Sequence, residues 1–223
     1  MNIVKNIKNI AQEVLLNESR VIENLIQLID NDFDAQLKEI YSSKGQVVVT
    51  CIGKSAIIAN KIVTALNSAG TPSLFMHATD VIQGDLGMIF QEDIVICIST
   101  SGNTPEIRLL ESHLKRSGFK LVALLSNPNS YLAQYTDYVV DATGGEEVYP
   151  NNRLLTTSTM MHLVQGDILT ISLLEHRSFT RDFTTFNPGG ALGEAIDNNQ
   201  LVDFILLKDF IKKSNCTALH MRN

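Results

Sequence analysis

The sequence has few cysteines. Three, Cys51, Cys97 and Cys216, are spread over 223 residues, and their spacing fits neither a disulfide framework nor a metal-binding motif. Cys51 and Cys97 fall at the ends of predicted strands, where we expect small buried thiols. We therefore predict a protein of the reducing cytoplasm that needs no metal and no cofactor.

Long apolar runs and an excess of basic residues are also missing. No run approaches the ~18 apolar residues of a membrane span. The first 20 residues carry Lys5, Lys8 and Glu13 in an amphipathic pattern, which differs from the apolar core of a signal peptide. A net charge of −6 and a pI near 5.3 disfavour broad nucleic-acid binding. We expect a cytoplasmic protein without membrane or nucleic-acid partners, although a local anion site stays compatible with its net charge.

The segment 94–106 is the most informative stretch of the sequence. Residues 94–98 are apolar and mostly β-branched, as in a buried strand. The hydroxyl-rich turn 99–104 follows, and Pro105 suits the first turn of a helix with Thr104 as its N-cap. Backbone N–H groups and the helix dipole attract anions at such a turn. The residues alone leave two interpretations open, a phosphate-binding loop and an ordinary capped turn.

Strand-like and helical patterns alternate along the chain. Apolar composition predicts strands at 46–51, 73–77, 94–98, 120–126 and 137–142. Helical spacing predicts helices at 2–41 and 56–69, one beginning at Pro105, a short one after Ser130, and one from the Thr156–Thr159 region through Leu174. This alternation indicates an α/β fold with a doubly wound, five-stranded parallel sheet of the flavodoxin-like type. Ligands on such sheets bind at the carboxyl ends of the strands, where the strand order reverses.

Several short motifs occur in a fixed order along the chain. They are Gly53-Lys54-Ser55, Gly84-Asp85-Leu86-Gly87-Met88, the turn 99–104, Ser126-Asn127-Pro128, the hydroxyl run 156–159, Gly166-Asp167 and the segment 188–193. Together they resemble the sugar isomerase (SIS) domain family, in particular its arabinose-5-phosphate isomerase branch, over roughly residues 45–193. The resemblance implies the SIS fold, a small sugar-phosphate ligand and an oligomeric assembly.

The resemblance also implies roles for individual residues. The catalytic candidates are Lys54, Glu106, Glu147 and His77. The candidates for binding phosphate and sugar are Gly53, Ser55, Ser99, Ser101, Gly102, Asn103, Thr104, Thr156, Thr157 and Ser158. In these roles Lys54 stabilises developing negative charge or orients the sugar, and Glu106 and Glu147 orient hydroxyls or move protons. Without the resemblance, a solvated surface lysine is an open alternative for Lys54, and a solvated carboxylate is the usual interpretation of Glu147.

The chain lacks two histidines of the family pattern, and it also has Ala78 and Asp80 where the family has proline and glutamate. The family has histidines where this chain has Gln83 and Asn187, whereas His77 is kept. A side-chain amide does not accept a proton near neutral pH, so neither replacement can act as a base. His113 and His162 lie within predicted helices, and we expect them to be structural or exposed rather than catalytic.

These patterns predict three regions: a helical arm at 1–44, a SIS domain at 45–193, and a tail at 194–223 that packs on the domain or a neighbouring subunit. Longer family members continue into a paired nucleotide-sensing (CBS) module. Only 30 residues follow Gly193, so we expect that module to be absent. We expect a homo-oligomer, a tetramer by the resemblance.

The predicted function is aldose–ketose isomerisation of a phosphosugar, specifically ribulose 5-phosphate to arabinose 5-phosphate through an enediol. That reaction needs a base, a proton shuttle between O1 and O2, and donors for the enediolate. Two alternatives stay open. One is a non-catalytic phosphosugar-binding regulator or partner subunit, and the other is a different SIS-type sugar-phosphate isomerase.

Overall fold

A central sheet of five parallel strands organises the structure, which is a computed structural model. The structure describes residues 7–29, 31–145, 147 and 155–177. All of them belong to the first of two compact units into which the chain divides, Met1–Ser178. Asn187, the motif 188–193 and the predicted tail 194–223 lie outside the described residues.

The strands agree with the predicted bounds to within one residue at each end. Their order is β2-β1-β3-β4-β5, and all neighbours are parallel. The prediction of a doubly wound, five-stranded parallel sheet is therefore confirmed. The strands are β1 (Val47–Cys51), β2 (Ser73–His77), β3 (Ile94–Ser99), β4 (Lys120–Leu125) and β5 (Tyr138–Asp141).

Helices cover both faces of the sheet, which explains why β1 and β3 are buried along their whole length and mostly apolar. One face carries α1 (Ile7–Asn24), α2 (Asn31–Ser42), α3 (Ser55–Ser68) and α7 (Thr157–His176). The other face carries α4 (Ala78–Gln83), α5 (Pro105–Arg116) and α6 (Tyr131–Tyr135). None of the described helices combines the length and apolar character that crossing a bilayer requires.

The N-terminal arm differs from the prediction of one helical segment over 2–41. In the described part of the arm, a 3₁₀ turn at Leu25–Leu28 separates α1 from α2. The turn places the buried Leu25 in the core, and it lets α1 pack on α7 while α2 packs on β5. The spacing of apolar residues predicts helix on both sides of such a turn. It does not reveal the change of direction, because the apolar residues of both helices face the same core.

The strand order reverses between β1 and β3. In the sheet register Cys51 pairs with His77 of β2 on one side and with Ile98 of β3 on the other. The loops that follow β1 and β3, 52–54 and 99–104, therefore leave the sheet side by side at its carboxyl edge. This is the edge where doubly wound sheets bind their ligands.

The Gly166-Asp167 motif serves helix packing. Gly166 of α7 faces Ile62 of α3, and a Cβ atom on Gly166 would lie 2.5 Å from the Ile62 Cδ1 atom. Next to this contact, Lys61 and Asp167 form a salt bridge between the same two helices. The glycine thus permits the close approach of α3 and α7, which fixes the position of α7 against the sheet.

We expect Gly166→Ala to lower the free energy of unfolding by about 1–3 kcal/mol, because the added methyl group overpacks against Ile62. The higher helix propensity of alanine, worth about 1 kcal/mol, offsets part of that cost. Chemical denaturation measures the change. Gly87→Ala is the control, since a Cβ atom on Gly87 meets no atom within 4 Å. Equal stability of the two variants would contradict the packing role of Gly166.

Candidate functional site

The loop 99–104 leaves β3 in a conformation that its own hydroxyl groups hold. The Ser99 Oγ accepts the N–H of Gly102 at 3.0 Å, and the Ser101 Oγ accepts the N–H of Asn103 at 3.3 Å. A serine hydroxyl that accepts a hydrogen bond still has its own hydrogen to donate. Ser99 and Ser101 can therefore both donate to an anion at this loop.

Two further residues fasten the loop to its surroundings. The Asn103 Oδ1 accepts the N–H of Tyr131 at 3.0 Å and the Arg108 Nη2 at 3.2 Å. Gly102 has a φ of +62°, and a Cβ atom there would lie 2.6 Å from the Ser130 Cβ. Asn103 and Gly102 thus position the loop against α6 in this structure, and the close approach that Gly102 allows is to Ser130.

The N-terminus of α5 has no side-chain cap. Thr104 occupies the N-cap position with φ −63° and ψ 144°, and Pro105 begins the helix, both as predicted. The Thr104 side chain accepts no capping hydrogen bond, and its buried Oγ1 has no partner among the described residues. The first N–H groups of α5 are therefore available to an anion, with the dipole of the helix in its favour. Glu106 is exposed in the same turn.

The N-terminus of α7 is capped by the carboxylate of Glu147. The Glu147 Oε2 accepts the N–H groups of Thr156 and Thr157, each at 2.8 Å. Its Oε1 accepts the N–H of Ser158 at 3.1 Å and the Ser158 hydroxyl at 2.6 Å. Thr156, Thr157 and Ser158, predicted to bind a ligand, here donate to a carboxylate of the same chain.

These hydrogen bonds set the charge of Glu147. Burial by itself raises the pKa of this carboxyl group, but the bonds from Ser158, Thr156 and Thr157 outweigh burial and hold the pKa below its ordinary value. Glu147 is thus an ionised carboxylate with many hydrogen bonds at neutral pH. In this arrangement it acts as a hydrogen-bond acceptor and a helix cap, and it is a weak base.

A cavity of about 230 Å³ lies between the carboxyl ends of three strands and the start of α7. Thr100, Ser126 and Thr143 line it, and they are residues that follow β3, β4 and β5 respectively. The whole lining consists of Thr100, Ser126, Thr143, Gly144, Gly145, Glu147, Leu155, Thr157, Ser158 and Met161. The cavity thus joins the loop after β3 to the carboxylate that caps α7.

The remaining predicted residues lie on the same edge of the sheet, outside the described lining. Lys54 is exposed at the start of α3, with Gly53 before it and the buried Ser55 after it. His77 ends β2, and its Nδ1 lies 2.7 Å from the Thr79 Oγ1. At a strand spacing of about 4.8 Å, His77 lies roughly 10 Å from the end of β3. Gln83 is exposed at the end of α4.

A buried histidine that carried no motif signal lies behind the cavity. His162 of α7 has no exposed surface, and its Nε2 lies 3.3 Å from the Ser126 Oγ. Burial lowers the pKa of His162 from 6.5 to about 4, against the opposing effect of the Glu147 charge. His162 is therefore neutral at physiological pH, and of the two expected alternatives, structural or exposed, it is the buried, structural one.

Three of the residues at the cavity that were not predicted as site residues share one signal in the sequence. Thr100, Ser126 and Thr143 are hydroxyl residues just past the ends of strands, the position where ligands bind. That signal was present in the sequence and could have identified them. Met161 and His162 gave no such signal, because only the packing of α7 brings them to the cavity.

Comparison with known proteins identifies the family. A family model described as "SIS domain" matches residues 39–167. A "Probable arabinose 5-phosphate isomerase" of Haemophilus influenzae is 43% identical over 86% of this chain and 57% of its own length. The "Arabinose 5-phosphate isomerase KdsD" of Pseudomonas aeruginosa is 41% identical over 88% of this chain and 61% of its own length. This chain belongs to the SIS domain family.

Solved structures agree with this assignment. An Escherichia coli protein, solved in complex with arabinose 5-phosphate, has a TM-score of 0.78 and 34% identity, and the match covers 84% of this chain and all of that one. A putative sugar-phosphate isomerase from Listeria monocytogenes has a TM-score of 0.78 and 29% identity over 85% of this chain. The chain spans less than two thirds of the length of the two curated relatives, at 57% and 61%.

The burial of His162 predicts a pH dependence of stability. Its folded pKa of about 4 lies below the unfolded value of 6.5, so the unfolded chain takes up a proton first as the pH falls. The contribution of the neutral His162 side chain to the free energy of unfolding is fully present above pH 6.5. It is lost between about pH 6.5 and pH 4, and the total loss is about 3 kcal/mol. Urea unfolding at pH 7, 6 and 5 measures the loss. His162→Gln should have a flatter profile, and parallel profiles of the two proteins would contradict the prediction.

Proposed function

We propose that the protein is a sugar-phosphate isomerase that interconverts ribulose 5-phosphate and arabinose 5-phosphate. The observation that carries the proposal is the uncapped, hydroxyl-rich start of α5, whose preceding loop contributes Thr100 to a cavity large enough for several water molecules and lined by both polar and apolar groups. The names of the relatives and the arabinose 5-phosphate complex of the Escherichia coli protein support the choice of sugar.

The phosphate group binds at the loop 99–104. Ser99 and Ser101 donate their hydroxyl hydrogens, and the first N–H groups of α5 complete the site, as at other helix N-termini that bind phosphate. Thr104 has a buried hydroxyl without a described partner, which adds a third donor. Binding energy from this group holds the reacting carbons in place.

The sugar carbons extend from the loop into the cavity. Glu147 places a negative charge on the wall of the cavity at the start of α7. Because like charges repel, the phosphate stays at the loop and uncharged oxygens of the ligand face Glu147. A carboxylate oxygen accepts hydrogen bonds from sugar hydroxyls. This polarity gives the ligand one orientation, with its phosphate at α5 and its carbonyl end towards α7.

The chemistry moves a proton between neighbouring carbons and another between O1 and O2. Lys54 follows β1, which is adjacent to β3, and its ammonium group stabilises the negative charge of an enediolate. Glu106 and His77 on the same edge are the candidate proton-transfer groups. Glu147 orients hydroxyls, since its low pKa makes it a poor base.

A second candidate function is binding without catalysis, as in a phosphosugar-responsive regulator. Gln83 carries an amide where the family has a histidine, and Glu147 is engaged by five hydrogen bonds in the structure. Both features reduce the number of groups that can move a proton, whereas neither affects the phosphate loop. The two functions differ in turnover and agree in binding.

The direct test is to incubate the purified full-length chain with ribulose 5-phosphate and to follow arabinose 5-phosphate by NMR. We expect conversion in both directions. Lys54→Met nearly keeps the length of the side chain and removes its charge. It should lower kcat by about 10²-fold or more, since it removes stabilisation of the enediolate. Binding without turnover would favour the regulator, and absence of binding would contradict both candidates.

Ser101→Ala tests the phosphate loop in the same protein. It should weaken binding of arabinose 5-phosphate by roughly 1–3 kcal/mol, the usual loss for a hydrogen bond to a charged group. Calorimetry measures the affinity. The control is Ser112→Ala, whose hydroxyl donates within α5 to the carbonyl of Leu109. Equal affinities of the two variants would remove Ser101 from the site.

We also infer that the chain forms a homo-oligomer, with a tetramer as the proposed state. Ile7, Leu15 and Leu16 of α1 expose 84%, 65% and 64% of their surface, which is costly for large apolar side chains in a free monomer. Analytical ultracentrifugation at micromolar concentration should give a species heavier than the 24.6 kDa monomer. Leu15→Glu together with Leu16→Glu should shift the distribution towards monomer, and an unchanged distribution would exclude α1 from the interface.

A further inference from the structure

The pair formed by Ser126 and His162 has no part in the function proposed above. Ser126 lines the cavity, and its backbone is fixed at both polar groups: its N–H donates to the carbonyl of Thr100, and its carbonyl accepts the Thr143 hydroxyl. Its side chain has one described hydrogen-bond contact, the His162 Nε2 at 3.3 Å. The second ring nitrogen of His162, Nδ1, is buried and has no partner among the described residues.

The lack of a described partner for the His162 Nδ1 indicates which ring nitrogen carries the hydrogen. A neutral imidazole has one N–H donor and one acceptor nitrogen. A hydrogen on Nδ1 would leave a buried N–H group without an acceptor, whereas a hydrogen on Nε2 leaves only a lone pair unused. Orphaned buried N–H groups are the rarer of the two defects. The hydrogen therefore lies on Nε2, which donates to the Ser126 Oγ.

We infer that His162 is a positioning residue, which turns the hydroxyl hydrogen of Ser126 into the cavity as a donor to a ligand oxygen. The Ser126 Oγ accepts from His162, and its own hydrogen points away from the imidazole. Ser126 lines the cavity and His162 does not, so a hydroxyl hydrogen that points away from the imidazole can reach the cavity. Without His162 the hydroxyl could rotate, and part of its population would present a lone pair to the ligand.

The surroundings define the chemical class of the ligand atom. Thr100, the neighbour of Ser126 across the two strands, also lines the cavity and has a buried hydroxyl without a described partner. The Thr100 hydroxyl has no accessible surface, so the Ser126 hydroxyl is the donor of this pair that a ligand meets near the charge of Glu147. An uncharged oxygen acceptor fits this donor, such as the carbonyl or a hydroxyl oxygen of a sugar. The low pKa of His162 keeps the imidazole neutral, so it adds no positive charge that would attract the phosphate instead.

The first experiment is independent of any ligand. Nitrogen-15 NMR of the full chain, labelled at histidine, reports the tautomer of His162. We expect the hydrogen on Nε2, and we expect Ser126→Ala to shift that resonance because it removes the acceptor. A hydrogen on Nδ1, or a resonance insensitive to Ser126→Ala, would overturn the inference.

The second experiment uses arabinose 5-phosphate as the probe and in that respect rests on the proposed function. Ser126→Ala and His162→Met should each weaken binding by about tenfold, as expected for one hydrogen bond. The double variant should be no weaker than Ser126→Ala, because both changes remove one interaction. His162→Gln keeps an N–H donor at nearly the same reach and should bind like the wild type.

The outcomes separate the two ideas. Additive losses in the double variant, or equal losses for His162→Gln and His162→Met, would mean that His162 is a packing residue only. Wild-type protein that does not bind arabinose 5-phosphate would count against the proposed function, and the NMR measurement would then decide the role of His162. If His162→Met does not fold, His162→Gln and Ser126→Ala still provide both readouts.

Discussion

The pairing of β1 with β3 is the constraint on which the polar chemistry of this protein depends. A parallel sheet covered on both faces has no room for polar groups within its strands, so they collect where the strands end. Because β2 and β4 lie on opposite flanks of this pair, the loops after β1 and β3 lead to helices on opposite faces of the sheet, the arrangement at which doubly wound sheets bind ligands. Lys54 and the loop 99–104 lie at this point of the sheet for that reason.

The N-termini of α5 and α7, both at this edge, have different electrostatic states. The start of α7 is neutralised by Glu147, whereas the start of α5 has no side-chain cap. A ligand that carries one phosphate therefore meets an attractive end and a repulsive end. In the proposed function, the strength and the orientation of ligand binding would both come from this pair of helices.

Sequence patterns predicted the sheet, its strand bounds and the Thr104–Pro105 helix start, because apolar runs and cap residues act locally. They did not predict that Glu147 would cap α7, since its partners lie nine to eleven residues away and depend on the path between them. The contact of His162 with Ser126 spans 36 residues, and its chemistry exists only after α7 packs on the sheet. Local rules thus predicted the turn 99–104 and the helix that follows it, whereas the cavity depends on tertiary contacts.

The capping of α7 by Glu147 also affects how this part of the protein can change during evolution. The hydrogen bond from the Thr156 N–H to Glu147 joins two residues nine positions apart, and this contact closes a loop of the chain. Doubling the length of such a loop costs only about 0.6 kcal/mol in closure entropy. Insertions between Glu147 and Thr156 can therefore arise at little expense in stability, provided that the hydrogen bonds to Glu147 persist. A relative could lengthen this part of its chain while its sheet and its loop after β3 stay unchanged.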